Sequence, residues 1–83
     1  MKTGESMDRQ PLDSSVFASA AYNSSTQALY LRFQNGETYC YFDFPPEEYC
    51  TFLAADSKGK YFGIHIRDRY RFEHLRYRKH GSQ

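Results

Sequence analysis

Between positions 67 and 79 the chain carries Arg67, Arg69, Arg71, Arg76, Arg78 and Lys79, interleaved with Tyr70, Phe72, His74 and Tyr77. Guanidinium groups fork onto phosphate oxygens and base edges, and they stack on aromatic faces. Cations set along a phosphate backbone also release counterions, so the binding they support is steeply salt-dependent. On a helix, Arg67, Arg71, His74 and Arg78 fall along one stripe at i, i+4, i+7 and i+11. On a strand, Arg67, Arg69 and Arg71 share a face instead. Either geometry concentrates positive charge. The plainer alternative is a solvated basic face that balances the acidic remainder of the chain, pairing with Glu47 or Glu48.

Tyr39 and Tyr41 form a second candidate, a base-stacking platform on an exposed sheet. The competing role for these two rings is core packing with only the hydroxyls at the rim. Lys58 and Lys60 stand within and just after Ser57-x-Gly59 at an expected helix start, where free N–H groups attract anions. An ordinary helix cap with two solvent-facing lysines accounts for the same residues.

Catalytic and metal chemistry are poorly served. His65, His74 and His80 with Cys40 and Cys50 supply the residue types of a nucleophile and a base, but no local nucleophile signature surrounds either cysteine. Cys40 and Cys50 lack the short spacing and paired histidines of a structural zinc site. The reading is therefore a non-enzyme with no cofactor and no metal.

The elements that position these residues must come from a small chain. Eighty-three residues make one domain, and its eight Tyr and seven Phe supply the bulk of a core without any Trp. Two cysteines do not make a disulfide framework and read as reduced, buried small hydrophobes. The first residues lack an apolar signal core, and no run approaches the ~20 apolar residues that span a membrane. The expected compartment is the cytoplasm. Residues 1–56 hold three Lys or Arg against eight Asp or Glu, and residues 57–83 hold eight against two, so a net charge of +1 conceals a basic final third.

Residues 16–22 read as a first strand, closed by the turn-forming Asn23-Ser24-Ser25. Residues 28–33 alternate Leu29, Leu31 and Phe33 with Tyr30 and Arg32, the period of a half-buried strand. Asn35-Gly36 marks a hairpin turn, and residues 38–44 form the return strand. A two-residue loop pairs Phe33 with Thr38 and places Cys40 and Phe42 beside Leu31 and Leu29. A three-residue loop pairs Phe33 with Glu37 and places Tyr39 and Tyr41 there. A one-residue slip exchanges the faces, and both registers stay open. Pro45-Pro46-Glu47-Glu48 opens a helix whose buried stripe is Tyr49, Phe52 and Leu53. Asp56 or Ser57 caps a second helix through about Arg69, with Phe62, Ile66 and Tyr70 at four-residue spacing and with Gly59 and Gly63 weakening it. Residues 71–80 add a further helical turn or two.

In order along the chain stand Tyr22-Asn23, Leu29-x-Leu31-x-Phe33, Asn35-Gly36, Tyr39-x-Tyr41, Phe44-Pro45, Tyr49 and Leu53. Ala54-Ala55, Ser57-x-Gly59, Tyr61-Phe62, Ile66 and Tyr70 follow. Over about residues 15–75 this series resembles the KTSC domain, found at the C-terminus of some lysyl-tRNA synthetases and as a stand-alone protein in bacteria and their phages. The resemblance implies a small module without known catalysis and, through the company it keeps, RNA as a partner. Phe44 stands where the family usually has an aliphatic residue, and Gly63 where Asn is common, so no role is carried to position 63.

The expected architecture is α+β: a three-stranded antiparallel meander of residues 16–22, 28–33 and 38–44, packed on one face by two helices. Residues 1–14 are expected as a flexible tail, 15–76 as the domain and 77–83 as a basic, frayed tail. The expected function is nucleic-acid binding, RNA preferred, through Arg67, Arg69, Arg71, Arg76, Arg78, Lys79, Lys58, Lys60, Tyr39 and Tyr41. The alternative is docking of an acidic protein partner. The chain is expected as a monomer or weak homodimer, since residues 16–22 form an uncharged edge strand that invites pairing.

Overall fold

Backbone pairing, more than hydrophobic alternation, sets the extent of the sheet. In the computed structural model, which describes residues 7–75, five antiparallel strands lie side by side in chain order. They are β1 Met7–Pro11, β2 Phe17–Asn23, β3 Ala28–Phe33, β4 Thr38–Tyr41 and β5 Phe72–Leu75. Helix α1 spans Pro46–Ala54, and helix α2, Lys58–Tyr61, runs on into a π-helical turn, Phe62–Ile66. The fold is α+β, with five strands where the sequence predicts three. No helix among the described residues is long and apolar enough to cross a membrane.

The two additional strands carry little apolar alternation. Strand β1 falls inside the stretch expected to be a tail, and it joins the sheet by pairing Asp8 with Tyr22 and Gln10 with Ala20. Ser14 prepares the connection, its hydroxyl accepting from the Val16 and Phe17 amides at 3.0 and 3.2 Å. With β1 in place, β2 is an interior strand and offers no exposed edge for homodimer pairing. Strand β5 forms where a helix was expected. Phe72 pairs with Tyr41 and His74 with Tyr39, and the Phe42 amide donates to the Arg71 carbonyl at 3.0 Å. A helix continued through Arg71 would leave the β4 edge unpaired, and a buried strand edge without partners is costly.

The β3–β4 hairpin takes the three-residue loop. The Phe33 amide donates to the Glu37 carbonyl at 2.8 Å, and Gly36 occupies the turn with φ +92°. That conformation is sterically open to glycine. Leu29 therefore faces Tyr41, and Leu31 faces Tyr39. One register row runs Asp8, Tyr22, Leu29, Tyr41, Phe72, and the next on the same face runs Gln10, Ala20, Leu31, Tyr39, His74.

This face receives the helices. Pro46 at the first helical position and Glu47 and Glu48 in the first turn start α1. Ser57 caps α2 by accepting from the Lys60 amide at 3.3 Å. Phe17, Phe44 and Phe52 are wholly buried, and such rings contribute about 1.5–3 kcal/mol each on leaving water. Phe17 meets Phe52 and Phe62 edge-on at 5.8 and 5.4 Å, and Tyr22 stacks flat on Tyr49 at 4.6 Å. Of the two cysteines expected to be buried, Cys40 is and Cys50 is exposed on α1.

Candidate functional site

The helices cover the sheet unevenly. Toward the β4–β5 side the sheet is left partly bare, and an open groove of about 500 Å³ lies there. Tyr39, Tyr41 and Phe72 come from the two strands, and Phe33 and Phe62 complete its aromatic lining. Asn35 and Glu37 reach it from the hairpin loop, and Arg67 and Asp68 from the turn after the π-helical segment.

The rings are not equivalent. Tyr41 is buried, held edge-on to Phe62 at 5.7 Å. Burial pushes its hydroxyl pKa up to about 12, the Tyr39 hydroxyl adding to this and the Arg67 charge opposing it. Tyr39 is half-buried; His74 stacks on it at 4.6 Å, and Phe33 meets it edge-on at 5.5 Å. Phe72 is 52% exposed although its neighbours Tyr39 and Tyr41 lie within 5.8 and 5.6 Å. An exposed phenyl ring held on a strand, against two tyrosines, is a ready surface for another flat group.

The basic set does not converge. Arg67 lines the groove. Arg69 acts on the opposite grouping, easing the ionisation of Tyr61 and Tyr70, whose hydroxyls both donate to Glu48. Burial nevertheless pushes the Tyr61 hydroxyl up to about 12, and Glu48 adds to the shift. Arg71 sits over the Phe42 ring at 5.1 Å and 3.8 Å from Asp43. Both members of that ion pair are mostly exposed, so it contributes little. The Lys58 ammonium donates to the Ala55 carbonyl at 3.0 Å and so closes the end of α1. Lys60 is exposed on α2. Arg76, Arg78 and Lys79 lie outside the described residues. The helical stripe of Arg67, Arg71 and His74 does not exist: they sit in a turn, in a loop and on a strand.

Glu48, expected as a possible arginine partner, is held by tyrosines. His65 packs its ring on Tyr61 at 4.4 Å. His74 hydrogen-bonds Glu37 through Nε2 while stacked on Tyr39. Burial pushes the Cys40 thiol up, a hydrogen bond from Tyr30 opposing it and Glu73 reinforcing it. That shift keeps the thiol protonated, away from nucleophile chemistry. Among the described residues, no three His, Cys, Asp or Glu side chains gather where a metal ion could sit.

Sequence reasoning missed Phe72, Phe33, Phe62, Asp68, Asn35 and Glu37 as site residues. The available signal was the alternation of Phe72 and His74, which places both on one face of a strand.

With this geometry defined, comparison with known proteins is informative. A family model described as the KTSC domain matches residues 13–70. The chain belongs to the KTSC domain family. A crystal structure of a KTSC domain protein from Yersinia pestis matches with a TM-score of 0.78 at 31% identity, covering 84% of this chain and 99% of that one. A protein of Tsukamurella paurometabola is 40% identical over 62 residues, which are 75% of this chain and 92% of its own length. A lysine–tRNA ligase of Nostoc punctiforme is 35% identical over 63 residues, 76% of this chain but 11% of that enzyme. In this KTSC domain the matched stretch takes in β2 to β4 and both helices, while β1 and β5 flank it. The groove is thus assembled from matched residues such as Tyr39 and Arg67 together with Phe72 just beyond them, while His74 packs behind Tyr39.

Proposed function

We propose that this KTSC domain is a small non-catalytic binding module for single-stranded nucleic acid, RNA preferred, acting in the cytoplasm of a bacterium or phage host. The observation that carries the reading is the exposed Phe72 ring at the mouth of the groove. Base–aromatic stacking is worth about 1–3 kcal/mol per base and needs only an accessible ring face. Arg67 at the same groove supplies a cation for the strand, and Arg69 and Arg71 are exposed close to it in sequence. The similarity of a segment of lysine–tRNA ligase to this chain lends the RNA preference further support.

The test is a fluorescence-anisotropy titration of the full chain with single-stranded RNA, single-stranded DNA, tRNA and an RNA duplex at rising salt. The expected result is tightest binding to single strands, with log K falling by about 0.7 per phosphate contacted for each tenfold rise in salt. Failure of every nucleic acid to bind at low ionic strength would overturn the proposal. Salt-sensitive binding to an acidic peptide alone would replace it with protein docking.

A further inference from the structure

We infer that the groove selects a guanine base, an inference that rests on the nucleic-acid reading above. The polar groups at the groove are the starting point. One guanidinium, Arg67, stands with two carboxylates, Glu37 and Asp68. A phosphate is repelled by carboxylates, so the interior suits a flat group that brings hydrogen-bond donors while the phosphates stay outside.

The two carboxylates differ in availability. Glu37 is hydrogen-bonded to His74. Asp68 is exposed and has no ion-pair partner among the described residues. An ionised carboxylate only accepts, through two oxygens side by side. Guanine alone among the bases presents two adjacent donors, N1–H and the N2 amino group, that meet both oxygens. Adenine and cytosine set an acceptor beside their amino group, and uracil flanks its one N–H with carbonyls, so each turns a lone pair toward Asp68.

The remaining groups complement the rest of the same base. The Asn35 side-chain oxygen already accepts from the Glu37 amide at 2.9 Å, which leaves its NH₂ free to donate to the guanine O6. Arginine forks onto O6 and N7 in the commonest specific base contact, and Arg67 lies on the same groove. Phe72 supplies the ring on which the base stacks.

The experiment measures anisotropy of the full chain with labelled U8 and with octamers in which the fourth U is replaced by G, A, C or inosine, which lacks the N2 amino group. The expected result is roughly tenfold tighter binding of the G octamer than of the A, C and U octamers, the scale of one bidentate base contact. Inosine should lose most of that gain. Asp68→Ala should abolish the G preference, read as the ratio of G-octamer to U8 affinity on the same variant. Equal binding of the G and A octamers, or a G preference that survives Asp68→Ala, overturns the inference and leaves the nucleic-acid reading standing. No binding by any octamer overturns both. GMP as a competitor separates strand from free nucleotide: displacement by GMP as effective as by the G octamer retains guanine as the ligand and overturns the strand reading.

Discussion

The imidazole of His74 lies flat on the ring of Tyr39, centroids 4.6 Å apart and planes 16° apart, while its Nε2 is hydrogen-bonded to Glu37. One side chain of β5 thereby holds a ring of β4 and a carboxylate of the hairpin loop in fixed positions at the groove. Such an aromatic pair is worth about 0.5–1.5 kcal/mol beyond its buried area. His74→Ala should lower stability by about 1 kcal/mol in a urea melt, and His74→Phe, which keeps the stack and drops the hydrogen bond, should recover part of it. A His74→Ala melt coincident with wild type would show that the contact does not order the strand pair.

Phe72 and Phe62 line one groove but have opposite expected phenotypes. Phe72 is 52% exposed and Phe62 9%. Phe72→Ala should change stability by less than about 0.5 kcal/mol, as exposed substitutions generally do, while weakening the proposed RNA binding by about 1–3 kcal/mol. Phe62→Ala should cost about 3–5 kcal/mol of stability through the cavity it leaves. Thermal melts and anisotropy on both variants separate the two; a Phe72→Ala protein that binds RNA normally removes the ring from the site.

Gly59 is required by a close approach. A Cβ at this position would stand 2.8 Å from Val16 Cγ2, although alanine is favoured over glycine in a helix by about 1 kcal/mol. Gly59→Ala alone should therefore destabilise, since a β-branched neighbour has little rotamer freedom with which to move away. In a Val16→Ala background the same substitution should stabilise. A double-mutant cycle by chemical denaturation measures the change of sign; additive effects would show that Val16 gives way without cost.

The tyrosines set the alkaline limit of stability. Burial pushes Tyr41 and Tyr61 up to about 12, and Tyr22, Tyr49 and Tyr70 also above their ordinary value, largely for the same reason. The unfolded chain releases these protons near pH 10 and the folded chain later, so between pH 10 and 12 the folded state binds more protons. Stability is then fully present below pH 10 and lost as pH rises through that window. Urea melts from pH 8 to 12 should show a flat region followed by a steep fall, with the tyrosinate absorbance of the folded protein delayed past pH 10. A flat profile to pH 12 would contradict the burial of these hydroxyls.

Glu48 ties three segments together. It starts on α1 and accepts from the hydroxyls of Tyr61 on α2 and Tyr70 in the turn before β5. Glu48→Gln keeps the size but weakens both bonds, so a loss of about 1–2 kcal/mol is expected. The same change removes a charge that raises the Tyr61 pKa, so Tyr61 should ionise at lower pH than in the wild type. An absorbance titration of the variant checks this independently of stability.

The central part of this fold was readable because its residues repeat at the spacing of their own secondary structure. Leu29, Leu31 and Phe33 alternate, and Pro46, Glu47 and Glu48 carry the chemistry of a helix start. The edges were not readable in this way. Strand β1 is held by backbone pairing and a serine turn, which leave no hydrophobic rhythm. Strand β5 carries an alternation of only four residues, Phe72 to Leu75, that a helical spacing of Ile66 and Tyr70 outweighs. The site follows suit: an arginine stripe needs a helix that instead ends at Ile66, and among the described residues Arg67, Tyr39 and Tyr41 of the expected set line the groove.

Strand order equals chain order, yet the four ladders are not alike in how they must form. The first three join strands separated by short turns, whereas β4 and β5 are separated by the 30 residues from Phe42 to Arg71, which include both helices. Closing a long loop costs more chain entropy than closing a hairpin, and non-local pairing is the slower event. The β4–β5 seam is also where Tyr39 and Phe72 meet. The floor of the groove is therefore the part of the sheet expected to close last when the chain folds.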